Sequence, residues 1–220
     1  MLSPVEKTYS ALLFDMDGTL LSSIAAAERV WAAWARRHNL DVEKFLPTIH
    51  GVRAAETIAR QNIPGIDLAA EVAWVTQGEL EDLDGIMPID GIHDFLASLP
   101  HDRWAIVTSA TRELALHRLN AAGIAPPAVM VTGEDVKHGK PAPDCFLLGA
   151  ERLGVKASDC LIFEDAPAGI AAAEAAGADV MVITATHQHE FVTPHPRIAH
   201  YRDLRLELLE GRLSIRAEFA

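Results

Sequence analysis

The chain is poor in cysteine. It has two in 220 residues, Cys145 and Cys160, and they form no C-x-x-C pair. That spacing excludes a disulfide framework and a cysteine zinc site. It contains no apolar run of the ~18 residues that a membrane span requires. It is short of positive charge: Lys+Arg number 19 against Asp+Glu 31, a net charge of −12. Such a surface repels polyanions, so neither nucleic acid nor anionic membrane is expected as a partner. A small anionic ligand stays open, because one cation or metal reverses the field inside a cleft. Glu6 and Lys7 precede any apolar run, which is not the pattern of a secretory leader, and a soluble cytoplasmic protein is expected. Nor does a G-x-G-x-x-G follow the first apolar run, so the dinucleotide-binding signature is missing. Half the residues are hydrophobic and 23% are charged, which excludes a disordered chain.

Short runs, apolar on both faces, recur along the sequence: Tyr9 to Phe14, Trp104 to Thr108, Ala128 to Val131, Cys160 to Phe163 and Asp179 to Thr184. They read as parallel strands covered on both sides. Helical patterns lie between them over Arg112 to Ala122, Pro143 to Leu153 and Ala168 to Ala176. Gly123, Gly154 and Gly177 follow as helix-ending residues. Alternating strands and helices predict an α/β fold, a doubly wound parallel sheet of Rossmann-like type. Leu21 to Asp84 breaks the rhythm. Ile24, Ala27, Trp31, Trp34 and His38 recur at helical spacing, with Ser22 or Ser23 placed to cap, and no strand is evident. This predicts a small all-helical domain over 21–84, inserted after the first strand of a core made of 1–20 and 85–220. Such an insert lies above the strand's carboxyl end, where open α/β sheets bind ligands. Leu204 to Ala220 is amphipathic and points to no function.

Polar clusters sit at or soon after four strand ends. Asp15-Met16-Asp17-Gly18 closes the first run; two carboxylates so close need a cation between them, and Mg²⁺ takes hard oxygen ligands. An Asp carboxylate also attacks phosphorus to give an aspartyl-phosphate. Thr108-Ser109-Ala110 offers hydroxyls and free N–H groups to a phosphate, Lys140 beside Pro141 a fixed positive charge, and Glu164-Asp165 further metal oxygens. Singly, each also reads as a turn, a helix cap or a solvated lysine. Together they converge on one site.

In order, the motifs DMDGTL (Asp15 to Leu20), VTSA (Val107 to Ala110), GKPAPD (Gly139 to Asp144) and FEDAPAG (Phe163 to Gly169) resemble those of the haloacid dehalogenase-like hydrolases over nearly the whole chain. The helical insert resembles the small cap of the subgroup rich in sugar-phosphate phosphatases. The likeness to bacterial sugar and hexitol phosphatases extends into ERVWAAWARRH (Glu28 to His38) and IHGVRA (Ile49 to Ala54). The resemblance implies Asp15 as nucleophile and Asp17 as general acid and then base, its carboxyl pointing away from the metal. It implies Asp15, the Asp17 backbone carbonyl, Asp165 and Glu164 around Mg²⁺, with Glu164 bound directly or through water. Thr108, Ser109 and Lys140 would hold the phosphoryl group. The implied activity is Mg²⁺-dependent hydrolysis of a small sugar or polyol phosphate.

Asp17 separates this chain from the dehalogenases proper and the phosphonate-cleaving branch, which lack it. Ala27 stands twelve residues after Asp15, where the β-phosphoglucomutase branch carries a histidine, and this weakens a sugar phosphomutase as the alternative. The intact Asp15, Asp17, Lys140 and Asp165 argue against a silent phosphate-ester binding module. His50 and Arg53 in the cap are expected to face the cleft and bond substrate hydroxyls or an anionic group, with Arg53 as a plain surface helix residue the competing expectation. Gly18 and Gly85 are candidate hinges. The segment with His187, His189, His195 and His200 reads as a surface loop rather than a metal site. The four tryptophans read as core. With no evident exposed apolar helix, a monomer is expected.

Overall fold

The computed structural model describes residues 7–187 and 191–217. In chain order the elements are β1 (Thr8–Tyr9), β2 (Ala11–Phe14), β3 (Leu21–Ser22), α1 (Ile24–Arg37), α2 (Val42–Phe45), α3 (Ala54–Ala59), α4 (Leu68–Glu81), β4 (Met87–Pro88), α5 (Ile92–Ser98), β5 (Trp104–Val107), α6 (Arg112–Ala121), β6 (Val129–Val131), α7 (Asp144–Arg152), β7 (Cys160–Glu164), α8 (Pro167–Ala175), β8 (Asp179–Ile183), β9 (Arg197–Ile198), β10 (Leu204–Leu209) and β11 (Arg212–Ala217).

Six strands form a parallel sheet in the order β6-β5-β2-β7-β8-β9. The first of them, β2, therefore lies in the middle: the chain builds outward through β5 and β6, then crosses to the other side for β7, β8 and β9. The reversal puts a topological switch at the carboxyl end of β2, where the loops on its two sides part and leave a crevice. Alternate residues serve the two faces. Leu12, Phe14, Ile106, Phe163 and Met181 pack under α5, α6 and the carboxyl-terminal strands. Leu13, Val107, Ile162 and Val182 pack under α7 and α8. Both layers are closed, which is why these strands read as unbroken apolar runs. Phe14 and Phe163 stack at 4.6 Å between centroids and carry Phe95 and Tyr201 around them.

Between β3 and β4 the described chain is helical, with its own apolar cluster of Val30, Trp31, Trp34, Phe45, Ile58 and Val75. Glu71 ties this layer together, accepting from the Trp34 indole at 2.8 Å and from Arg37 at 3.1 Å. A strand does occur inside the segment expected to lack one. Leu21–Ser22 pairs antiparallel with Met87–Pro88, joining the entry and exit of the helical insert at one neck. A two-residue strand is too short to show a period.

The run from Tyr9 to Phe14 is likewise two strands. Thr8–Tyr9 pairs with β11 in a separate three-stranded antiparallel sheet, and Ala11–Phe14 enters the parallel one. Leu204 to Ala217 is a hairpin. Glu210 (φ 51°) and Gly211 (φ 78°) make its two-residue turn, both left-handed as a type I′ connection requires. Not every tryptophan is core: Trp74 is 40% exposed, with the Arg37 guanidinium over its ring at 5.3 Å. Among the described residues these histidines do not converge. His195 meets Glu174, His200 lies 3.9 Å from Asp90, and the His187 ring donates from Nε2 to the Asp165 carbonyl at 2.9 Å; His189 is outside the described residues. No helix among the described residues is long and apolar enough to cross a membrane.

Candidate active site at the carboxyl end of the parallel sheet

The four polar clusters meet at the switch. Asp15 still belongs to the sheet through its backbone, whose N–H donates to the Phe163 carbonyl at 2.9 Å, so its side chain is fixed by the sheet itself. The chain then turns sharply. The N–H groups of Thr19, Leu20 and Leu21 all reach back to the Met16 carbonyl, and Gly18 takes φ 84°. A Cβ on Gly18 would lie 2.0 Å from Asp165 Oδ2, so this turn is open only to glycine, on conformation and on space alike. Thr19 Oγ1 donates to Asp165 Oδ1 at 3.3 Å, stitching the first motif to the last.

Lys140 is 1% exposed. Its Nζ donates to Asp15 Oδ1 at 2.5 Å, Glu164 Oε1 at 2.7 Å and the Val107 carbonyl at 3.2 Å, and lies over the Phe146 ring. Far from being a solvated lysine, it is a buried cation among the carboxylates. The Glu164 carboxylate is fully used: its Oε2 also accepts from the N–H groups of Asp165 and Ala166, both at 2.8 Å. A Cβ on Gly169 would fall 1.5 Å from Glu164 Oε1, so the first turn of α8 passes directly over that carboxylate. Asp15, Glu164 and Asp165 each offer an oxygen within 4.8 Å of the others. One lysine among three buried carboxylates leaves two negative charges uncompensated. Burial pushes the Asp15 carboxyl up to about 8, with Lys140 pulling against it and Glu164 adding repulsion. Burial and then the Glu164 and Asp15 charges hold Asp165 well above the usual carboxylate range. A hard divalent cation is the group this oxygen-only donor set fits. Glu164 already holds Lys140 and two N–H groups, whereas Asp15 and Asp165 accept side-chain hydrogen bonds at Oδ1 and each has a second oxygen, Oδ2, to offer it.

Thr108 is buried, and its Oγ1 accepts from the Ala110 N–H at 3.1 Å, shaping the turn into α6. Ser109 Oγ donates to the Gly51 carbonyl of the helical insert at 2.9 Å. Asp17 is set apart from the carboxylate cluster: its Oδ1 accepts from Ser23 Oγ at 2.5 Å and Arg118 Nη1 at 3.0 Å.

Above these residues the helical insert roofs a cleft of about 360 Å³. Asp15, Asp17, Ser109 and Asp165 form its floor, Ile24, Ala27, Trp31 and Val72 its apolar wall, and His50, Glu79 and Arg118 its polar points. His50 pairs with Glu28 at 3.3 Å, and burial holds its imidazole below the usual range against that carboxylate. Arg53 lines the wall, and its guanidinium is engaged: it pairs with Glu56 and donates to the carbonyls of Gly133, Val136 and Lys137.

Arg118 and Glu79 escape a motif search. The signal available was positional. Arg118 shares the buried stripe of α6 with Leu114, Ala115 and Leu119, and Glu79 follows Val75 by four residues on α4. A charge within an apolar stripe needs a partner.

Comparison with known proteins agrees with this geometry. The family model for haloacid dehalogenase-like hydrolases matches residues 9–177. Hexitol phosphatase A of Escherichia coli is 43% identical over 178 residues, covering 79% of this chain and 82% of that protein. Glycerol-1-phosphate phosphohydrolase 2 of Saccharomyces cerevisiae is 33% identical over 204 residues, covering 86% and 80%. The crystal structure of β-phosphoglucomutase from Clostridium difficile superposes with a TM-score of 0.72 at 22% identity, over 80% of this chain and 84% of that one, a likeness of fold.

Proposed function

Because the chain belongs to the haloacid dehalogenase-like hydrolases, we propose that it is a Mg²⁺-dependent phosphatase of small sugar or polyol phosphates, working through an aspartyl-phosphate on Asp15. One observation carries the reading: a buried carboxylate at the switch point, gripped by Lys140 at 2.5 Å beside Asp165, lines a cleft of about 360 Å³ beneath the helical insert. That volume lies at the small end of ligand sites, suited to one phosphorylated metabolite. Phosphorylated polyols are what the two named relatives act on by name. Residues 21–84 serve as the cap and the remainder as the catalytic core.

Asp15 Oδ attacks phosphorus, forming the acyl-phosphate bond as the P–O bond to the leaving group breaks. Lys140 holds charge at the transferring group, and its own charge is secure: burial works against the ammonium, and Asp15 and Glu164 more than offset that cost. Thr108 and Ser109, at the mouth of α6, orient the phosphoryl oxygens. Asp17 gives its proton to the departing oxygen and then takes one from the water that cleaves the acyl-phosphate, restoring the start. Asp15, Asp165 and the Asp17 carbonyl would hold a Mg²⁺, with Glu164 as a further ligand directly or through water; bound there, it would supply charge neutralisation to the carboxylates and the phosphoryl oxygens. Ala27 supplies no acid or base at the cavity wall for a mutase reaction.

The test is release of inorganic phosphate from a panel of sugar and polyol phosphates. Turnover is expected with Mg²⁺, to vanish with EDTA, to return on adding Mg²⁺, and to fall by at least ~10³-fold in Asp15→Asn with the fold intact. Sustained turnover in Asp15→Asn would overturn the covalent route.

A further inference from the structure

Arg118 belongs to the core, yet two of its nitrogens are spent on other parts of the cavity. Its side chain is 5% exposed. Nη1 donates to Asp17 Oδ1 at 3.0 Å and Nη2 to Glu79 Oε1 at 3.1 Å, while Nε is buried with no partner among the described residues. Glu79 comes from α4 of the cap and is itself buried. So one guanidinium spans the cap–core boundary, with the Asp17 carboxylate on one side and a cap carboxylate on the other.

Burying three charges costs stability, and apolar residues of like volume are commonly as stable or more so. Stability therefore does not explain the arrangement. Geometry at Asp17 does. Its Oδ1 is bracketed by Ser23 Oγ at the entry to α1 and by Arg118 Nη1 from α6, two donors that point it into the cavity and away from the carboxylate cluster. Ser23 is at the neck of the cap, and Arg118 is aligned by Glu79. Both donors are therefore in place only when the cap is seated. Glu79 also balances the guanidinium, so Asp17 meets an oriented donor carrying little net charge.

We propose that Arg118 is the positioning residue of Asp17, holding its carboxyl towards the leaving-group side of the cavity, and that Glu79 makes that hold dependent on the seated cap. This rests on the reading of Asp17 as the acid–base group. A planar fork suits the task, because it reaches two carboxylates at a fixed angle, whereas a lysine presents one point charge.

Leaving groups separate positioning from mere structure. An alkoxide leaving from a polyol phosphate needs the proton of Asp17; p-nitrophenolate does not. The ratio kcat/KM reports the steps up to the acyl-phosphate. Arg118→Ala alone strands Glu79 as a buried lone charge and threatens the fold, so the principal variant is the double change Arg118→Met with Glu79→Leu. It is expected to lose ~10²-fold in kcat/KM on the best polyol phosphate of the panel and under ~3-fold on p-nitrophenyl phosphate, at an unchanged thermal midpoint or a higher one. Arg118→Lys is expected to recover about a tenfold part of that loss. Asp17→Asn calibrates the scale. If it shows no leaving-group selectivity, the acid–base reading fails and the proposal with it. If it does, while the Arg118 variants lose equally on both esters or on neither, the proposal alone is overturned.

Discussion

At the scale of single residues, the site is set by close approaches that only glycine permits. Gly169 lies in the first turn of α8, where a glycine-to-alanine change ordinarily favours a helix by roughly 0.5–1 kcal/mol. Here the added carbon would sit 1.5 Å from Glu164 Oε1, the atom that holds Lys140. The clash outweighs the propensity. Gly169→Ala is expected to destabilise the protein by about 1–3 kcal/mol and to cut phosphate release, because Glu164 must leave Lys140 to make room. Urea unfolding checks the sign, and a variant as stable as the parent would refute the packing argument. The same logic makes Gly18 a poor probe of hinge motion, since any side chain there displaces Asp165 before motion is tested.

At the scale of elements, the loop after the edge strand β6 has to deliver Lys140 to the ends of the central strands β5, β2 and β7, and Asp135 braces it. Its Oδ2 accepts from the Thr132 N–H and hydroxyl, both at 2.8 Å, and its Oδ1 from Arg152 at 2.8 Å. Burial alone would raise this carboxyl; Arg152 and Thr132 win, and its pKa falls to about 2. The folded value lies below the unfolded one of about 3.9. The brace therefore contributes fully above pH ~4 and is lost as pH falls towards 2. With partial solvent screening the contribution is about 1–2 kcal/mol. Asp135→Asn is expected to cost that amount at pH 7 and to unfold with a flatter acid dependence between pH 4 and 2; parallel acid curves for the two proteins would refute the brace. Elements of this length were legible in the sequence. The runs ending at Phe14, Val107, Val131, Glu164 and Ile183 are apolar on both faces because both faces are covered, and Gly123, Gly154 and Gly177 do take positive φ after their helices. The two-residue strands were not legible. The break at Ser10 was hidden for another reason: Tyr9 is buried against a second sheet and so looks like part of the same strand.

At the scale of the whole molecule, the cap is fastened to the core at a few points. Arg53 on the cap donates to three carbonyls of the 133–137 loop, and Glu56 accepts from the Gly139 N–H at 3.3 Å, one residue before Lys140. Seating of the cap and placement of the lysine are thus joined. A guanidinium so occupied behaves as a latch. Arg53→Ala is expected to lower kcat/KM by roughly tenfold by a similar factor for every ester in the panel, and to speed amide exchange across 133–139. Losses that track the hydroxyl pattern of the substrate, with exchange unchanged, would refute the latch and favour Arg53 as a substrate ligand.

The sequence by itself determined the chemistry. Carboxylates, hydroxyls and a lysine placed at strand ends are local facts, and a parallel sheet gathers strand ends on one edge whatever else the chain does. What the tertiary structure decided is how those groups are held. The burial of Lys140 between Asp15 and Glu164, the use of Arg53 on core carbonyls and the span of Arg118 from Asp17 to Glu79 each join residues 24 to 125 positions apart. No local pattern encodes such pairings, because they exist only where the helical insert covers the sheet and brings buried charges of opposite sign within reach of one another.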